Sequence, residues 1–368
     1  MAVRLIACAM LAFSLGAQPD ATLQQAISLH QSGDINGAIE AYKKYLAARP
    51  ENPIALSNLG AALARAGRYD DAIVQYRHAL KLQPDNAPVE MNLGLAYYKA
   101  GRIETAAATF ERVHAAMPRD LQPALLLADC WLSLGKNKQV IQLVEPLAKS
   151  QPDDLALTYL LGTALVRDGQ AERGQVVIDR ILRIGDSAEA RLLLGTTKLQ
   201  AHDDPAALAD LQKAVELNPK LPDVYAYYAQ ALLRTGDTPH AIEALRKATD
   251  ANPYDFDANL LLAMLLKQDN QIDAALVCVN RALLARPSDV GARYQLATIE
   301  LHHGKVDDAR RELESVARQS PSFKEAHVAL ATVYYRLKRK AEGDRERAIV
   351  EKLTAETQAK QQQGINIK

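Results

Sequence analysis

The 368-residue sequence has little of several things, and each shortage closes off a class of function. Its net charge is zero, with 44 Lys+Arg against 44 Asp+Glu, so it lacks the basic excess with which nucleic-acid binders displace counterions. Cysteine occurs three times, at Cys8, Cys130 and Cys278, and never as CxxC, so no zinc ribbon or redox pair is present. No GxSxG, HExxH or phosphate-cradling glycine loop occurs, and strands do not alternate with helices. His302 and His303, beside Glu300, come nearest to a ligand set. Adjacent helical side chains point about 100° apart, so these histidines read as solvated rather than metal-binding. The expectation is therefore no enzyme, no metal and no cofactor. Long apolar runs are also missing. The longest, Leu5 to Leu15, is too short to span a bilayer, which takes about 20 residues, so no transmembrane span is expected. It follows Arg4 and precedes Gly16-Ala17, and so reads as an export signal over residues 1–17. Leu15 is larger than the residue usually found there, and Leu5-Ile6-Ala7-Cys8 offers lipid attachment at Cys8 as an alternative. A periplasmic or envelope-associated location follows.

Alanine, by contrast, is abundant: 63 residues against 18 Gly and 16 Pro. Such an excess favours helices packed at close range. Prolines then reveal a period. Pro50, Pro84, Pro118 and Pro152 are 34 residues apart, and so are Pro219, Pro253, Pro287 and Pro321. The interval between the two series is two periods less one residue, with the missing proline at Ile184-Gly185-Asp186. With proline at position 32, ten repeats start at residues 19, 53, 87, 121, 155, 188, 222, 256, 290 and 324. Position 8 is Gly or Ala in all ten, and position 20 is small except at Val140. Position 15 is Gly in seven repeats and Asn270 in another. Apolar residues at 4, 7, 8 and 11 predict one helix, those at 20, 24 and 27 a second, and the glycine a left-handed turn between them. Each repeat is thus a helical hairpin that cannot bury both its stripes alone. Lys198 and Glu300 break the stripe at position 11, and Pro146 predicts a kink in a second helix.

A 34-residue hairpin with these columns resembles the tetratricopeptide repeat family. Asn58-Leu59-Gly60, Leu63, Gly67, Ala72, Tyr76, Ala79 and Pro84 show it well, as do Asn92-Leu93-Gly94, Tyr97, Gly101, Ala106, Phe110 and Pro118. The resemblance covers residues 19 to about 340. It implies an all-α solenoid of nine to ten repeats, wound as a right-handed superhelix, with the first helices lining a concave groove for partner polypeptides. A capping helix is expected over 341–360 and a disordered tail over 361–368.

In the family, positions 2, 5, 6, 9, 12 and 13 face the groove. Here these give Asn58, Arg65, Asn92, Tyr98, Lys99, Leu132, Tyr159, Arg167, Gln230 and Arg234 as candidate contacts. The cations at position 13 suggest an extended partner of acidic character, though a cation in the last turn also offsets the helix dipole. Two special uses of the family can be checked. The chaperone carboxylate clamp is absent, since positions 5 and 9 hold Leu23/Ile27, Ser57/Ala61 and Met91/Leu95. Of the asparagine ladder found in O-linked N-acetylglucosamine transferases, Asn58 and Asn92 match. The expected function is a non-catalytic protein-binding scaffold. Alternatives are a structural protein self-assembling end to end and the accessory arm of a separate glycosyltransferase.

Overall fold

The computed structural model describes residues 21–365; the expected signal segment, Cys8 included, lies outside them. The described residues form twenty helices and no strand. They run in pairs: α1 (Ala21–Ser32) and α2 (Ile35–Ala48), α3 (Pro53–Arg65) and α4 (Tyr69–Leu82), α5 (Ala87–Lys99) and α6 (Ile103–Ala116). Then come α7 (Leu121–Ser133) and α8 (Asn137–Ser150), α9 (Leu155–Arg167) and α10 (Ala171–Ile184), α11 (Ala188–Gln200) and α12 (Asp204–Leu217). The series ends with α13 (Val224–Arg234) and α14 (Thr238–Ala251), α15 (Phe256–Gln268) and α16 (Ile272–Ala285), α17 (Val290–His302) and α18 (Val306–Gln319), α19 (Lys324–Arg336) and α20 (Lys340–Ile365). The chain divides into two compact bodies, the first ending at Asp237 and the second beginning at Thr238.

The expected columns are the packing. All ten residues at position 8 and all ten at position 20 are buried. Opposite position 8 stands the large residue at position 24, including Tyr42, Tyr76, Phe110, Leu211 and Leu313, each buried. A Cβ on Gly94 would lie 2.6 Å from Phe110 Cε1, one on Gly60 2.8 Å from Tyr76 Cε1, and one on Gly195 2.5 Å from Leu211 Cγ. In these three repeats glycine is what the close approach of the two helices demands. Position 15 is left-handed in every repeat. Beyond the seven glycines, Asn270, His202 and Lys338 take φ of 59°, 60° and 59° there. The turn overrides the cost of a side chain in that conformation, about 1–2 kcal/mol, because the following amide closes the helix. Arg68 N, for example, donates to Leu63 O at 2.9 Å and Arg102 N to Tyr97 O at 2.9 Å. Gly185, in the shortened repeat, has φ 153° and ψ 170°, a conformation open essentially to glycine alone.

Position 4 departs from the expected apolar stripe. In three repeats a basic side chain there meets an acid at position 23, on the second helix. Arg191 reaches Asp210 at 2.7 Å, Arg293 reaches Glu312 at 3.3 Å, and His327 Nδ1 lies 2.6 Å from Glu346. In the second body the same position also ties down the junction. Asn259 donates to Pro253 O at 3.1 Å and Arg293 to Pro287 O at 2.9 Å, and His327 Nε2 lies 3.1 Å from Pro321 O. The two irregular residues at position 11 fare differently. Lys198 is satisfied, its ammonium 2.6 Å from the other oxygen of Asp210, a carboxylate only 5 % exposed. Glu300 has a buried oxygen, Oε2, without a hydrogen-bond partner.

α8 is helical from Asn137 to Ser150 with Pro146 inside it. α20 extends to Ile365, so residues 361–365 of the expected disordered tail are helical. Gln361 to Gln363 are adequate helix formers, and no proline stops them. At position 24 of this last repeat stands exposed Arg347, in place of the buried apolar residue seen in the others. A polar face there is what a terminal repeat requires.

Two predictions follow from this packing. Gly94→Ala gains about 1 kcal/mol of helix propensity but overpacks Phe110 by about 1–3 kcal/mol. Calorimetry should therefore show a lower melting temperature, largely restored when Phe110→Leu is added. Burial, helped by Asp308 and Glu312, holds the Glu300 carboxyl above its ordinary value, against Lys305 and Arg311. The unfolded chain ionises first as pH rises, so the penalty is absent below the ordinary carboxyl range and complete above the raised value. Glu300→Leu should accordingly stabilise the protein more at pH 7 than at pH 4, as read by urea denaturation.

Candidate functional site

The candidate residues lie on the first helices of the first body. Position 13, the last turn of each, has a structural duty that the sequence did not disclose. In four repeats its side chain donates to the position-12 carbonyl of the preceding repeat. Arg65 reaches His30 O at 3.4 Å, Arg167 reaches Leu132 O at 3.4 Å and Arg234 reaches Leu199 O at 2.5 Å. Gln200 does the same without a charge, donating to Val166 O at 2.6 Å. These carbonyls lie at helix C-termini, where each also accepts the amide of the position-15 residue of its own repeat. The cation column is thus engaged in joining repeat to repeat. Lys99 differs: it is exposed, with its ammonium 5.9 Å from the centre of the Tyr98 ring.

Arg167 does more. Its Nη2 pairs with Asp223 at 2.8 Å, its Nε donates to Tyr227 OH at 2.8 Å, and the guanidinium lies 5.4 Å from the centre of the Tyr227 ring. These contacts join repeat 5, the shortened one, to repeat 7 across repeat 6. Asp223 is held at φ 62° just before α13. Beside this link a small pocket is lined by Tyr159, Thr163, Val166, Leu192, Thr196 and Tyr227.

One groove acid is set apart. Tyr98 OH donates to Asp129 Oδ2 at 2.7 Å, from α5 to α7. Burial raises the Asp129 carboxyl, with Asp223 adding to it, while the Tyr98 hydrogen bond, Arg167 and Lys99 pull the other way. The Tyr98 phenol is pushed well up, chiefly by the Asp129 charge and then by burial. Sequence reasoning missed Asp129 as a groove residue, although position 9 of repeat 4 was open to inspection.

The other candidates fall into two groups. Leu132 is buried, with Tyr159 part-exposed beside it, so both help to form the apolar floor. Asn58, Asn92 and Gln230 are at least part-exposed and make no hydrogen bond among the described residues. Elsewhere, His303 Nε2 lies 3.2 Å from Asp273, and the His302 and His303 rings meet edge to face at 6.0 Å. Among the described residues no cluster of three or more His, Cys, Asp or Glu could hold a metal ion, and no helix is long and apolar enough to cross a membrane. Cys130 and Cys278 are buried free thiols, and burial pushes both up in pKa.

Comparison with known proteins agrees with this architecture. Three tetratricopeptide repeat models match the chain: one at residues 23–88, 260–322 and 294–343, a second at 97–162 and a third at 222–265. Together they span well over half of it. No curated protein matches the sequence. Among solved structures, the APC/C hetero-tetramer Cut9–Hcn1 aligns at 12% identity and TM-score 0.54, over 92% of this chain and 88% of that one. A crystal structure of MamA aligns at 20% identity and TM-score 0.40, over 45% of this chain and 96% of that one. A further MamA structure, residues 41 to the end from Desulfovibrio magneticus RS-1, aligns at 19% identity and TM-score 0.42, over 47% and 97%. At these identities the likeness is one of fold. The chain belongs to the tetratricopeptide repeat family.

Proposed function

We propose that this protein is an exported, non-catalytic scaffold that holds a partner polypeptide along the first-helix face of its repeats. The observation that carries this reading is a surface with more recognition chemistry than packing requires. Asn58, Asn92 and Gln230 project amides with no internal partner, beside the part-exposed apolar surface of Leu95, Leu125, Tyr159 and Leu233. Amide donors and acceptors over an apolar strip suit an extended peptide, whose backbone needs hydrogen bonds and whose side chains need shallow pockets. The arginines at position 13 lend little support to an acidic partner, because Arg65, Arg167 and Arg234 each already serve a carbonyl. End-to-end assembly through the last repeat is disfavoured by charged Arg347 where other repeats place an apolar residue. Export rests on residues 1–17, with the periplasm or envelope as destination.

Two measurements check the proposal. A photo-crosslinking residue placed at Asn92 or Gln230 should capture a polypeptide in an envelope extract. The same residue at Val74 or Val176, exposed on second helices, should not. Equal capture at all four sites would dispose of the groove. Mass spectrometry of the chain recovered from its native host should give an N-terminus at Gln18, or an acylated Cys8 under the alternative. An intact N-terminus in the cytosol would contradict export.

A further inference from the structure

Along the middle of the groove face of the first body there is a single formal charge, the others standing at its margins in positions 2 and 13, Glu189, Asp223, Arg65, Lys99, Arg167 and Arg234 among them. Across positions 5, 9 and 12 of its seven repeats every residue is apolar, small, polar or His30, apart from Asp129. A carboxylate in such a strip has lost part of its hydration, and a protein ordinarily compensates that loss with a cation or with several donors. Here the compensation is incomplete. Among the described residues Asp129 takes one hydrogen bond, from Tyr98 OH at 2.7 Å on Oδ2. The two cations that act on it do so through space. Arg167 is already committed to Asp223, Tyr227 and the Leu132 carbonyl. Lys99 lies over the Tyr98 ring. One side of Asp129 is thus ordered by a phenol, and its remaining oxygen has no partner.

We propose that Asp129 receives the ammonium or guanidinium of a basic side chain carried by the bound polypeptide. This rests on the groove reading above and specifies its chemistry. Part-exposed Leu125 lies one turn before Asp129 on α7, so the methylene stem of Lys or Arg has apolar surface to cover while its head reaches the acid. Tyr98 fixes the carboxylate in advance, which lowers the ordering cost of forming the pair. An acidic side chain at this point would meet a like charge in a poorly hydrated site. The arginines offer it no alternative, each being spent between repeats. The polarity of the partner is accordingly the reverse of that suggested by the cation column.

Fluorescence anisotropy on the full chain tests this with labelled ten-residue peptide pools, randomised except for a central Lys, Arg, norleucine or Glu. Norleucine keeps the stem of Lys without its charge. The Lys and Arg pools should bind about tenfold or more tighter than norleucine, the increment of a hydrogen bond to a charged group, with Glu weakest. Asp129→Asn should bring Lys down to the norleucine level. Tyr98→Phe, which keeps the carboxylate, should retain the preference and so separate charge from folding. No advantage for Lys and Arg in the wild-type chain overturns the proposal whether or not a variant folds. An advantage that survives Asp129→Asn overturns it too. In both cases peptide binding by the groove stands. Failure of every pool to bind overturns the groove reading and this inference together.

Discussion

Each repeat depends on two helices approaching so closely that a side chain at position 8 has almost no room. The large residue at position 24 fills that space, and Gly94 against Phe110 or Gly60 against Tyr76 leaves no place even for a methyl group. The left-handed residue at position 15 brings the helices to this distance. It holds that conformation even where it is His202 or Lys338. A hairpin closed in this way still exposes apolar surface on its flanks, which adjacent repeats cover. The first-helix face is left over from that packing, and its side chains are available for recognition.

Charge is distributed by the same logic. The chain has as many cations as anions, and several of them pair locally. Within hairpins, Arg191 with Asp210 and Arg293 with Glu312 join positions 4 and 23. Between repeats, position 13 caps the carbonyl of position 12, with Arg65, Arg167, Arg234 or an uncharged Gln200. In Gln200 an uncharged amide makes the same bond as the arginines, so the contact does not depend on the charge. Against this background a carboxylate such as Asp129, with a tyrosine for a partner and no cation of its own, stands out.

The columns legible in the sequence are those set by sterics. Positions 8, 15 and 20 admit few residue types, so ten copies reveal them. Polar positions were harder to read, because their partners lie on another helix and differ from repeat to repeat. Arg191, Asn259, Arg293 and His327 occupy one position with three different side chains, so no column formed. The arginines at position 13 were visible, but whether they face a ligand or a neighbouring carbonyl depends on three-dimensional distances. Asp129 belongs to no column, because a recognition residue need occur only once. Residues 361–365 appeared structureless on composition, yet they continue a helix already nucleated from Lys340.

The central claim is that recognition occurs on the first helices and that the second helices serve as support. Hydrogen–deuterium exchange with and without a crosslinked or co-purified polypeptide partner tests it most directly. Slowed exchange confined to α5, α7, α9 and α13 is the predicted result. Slowed exchange on α6, α8 and α10, with those four unchanged, would contradict it.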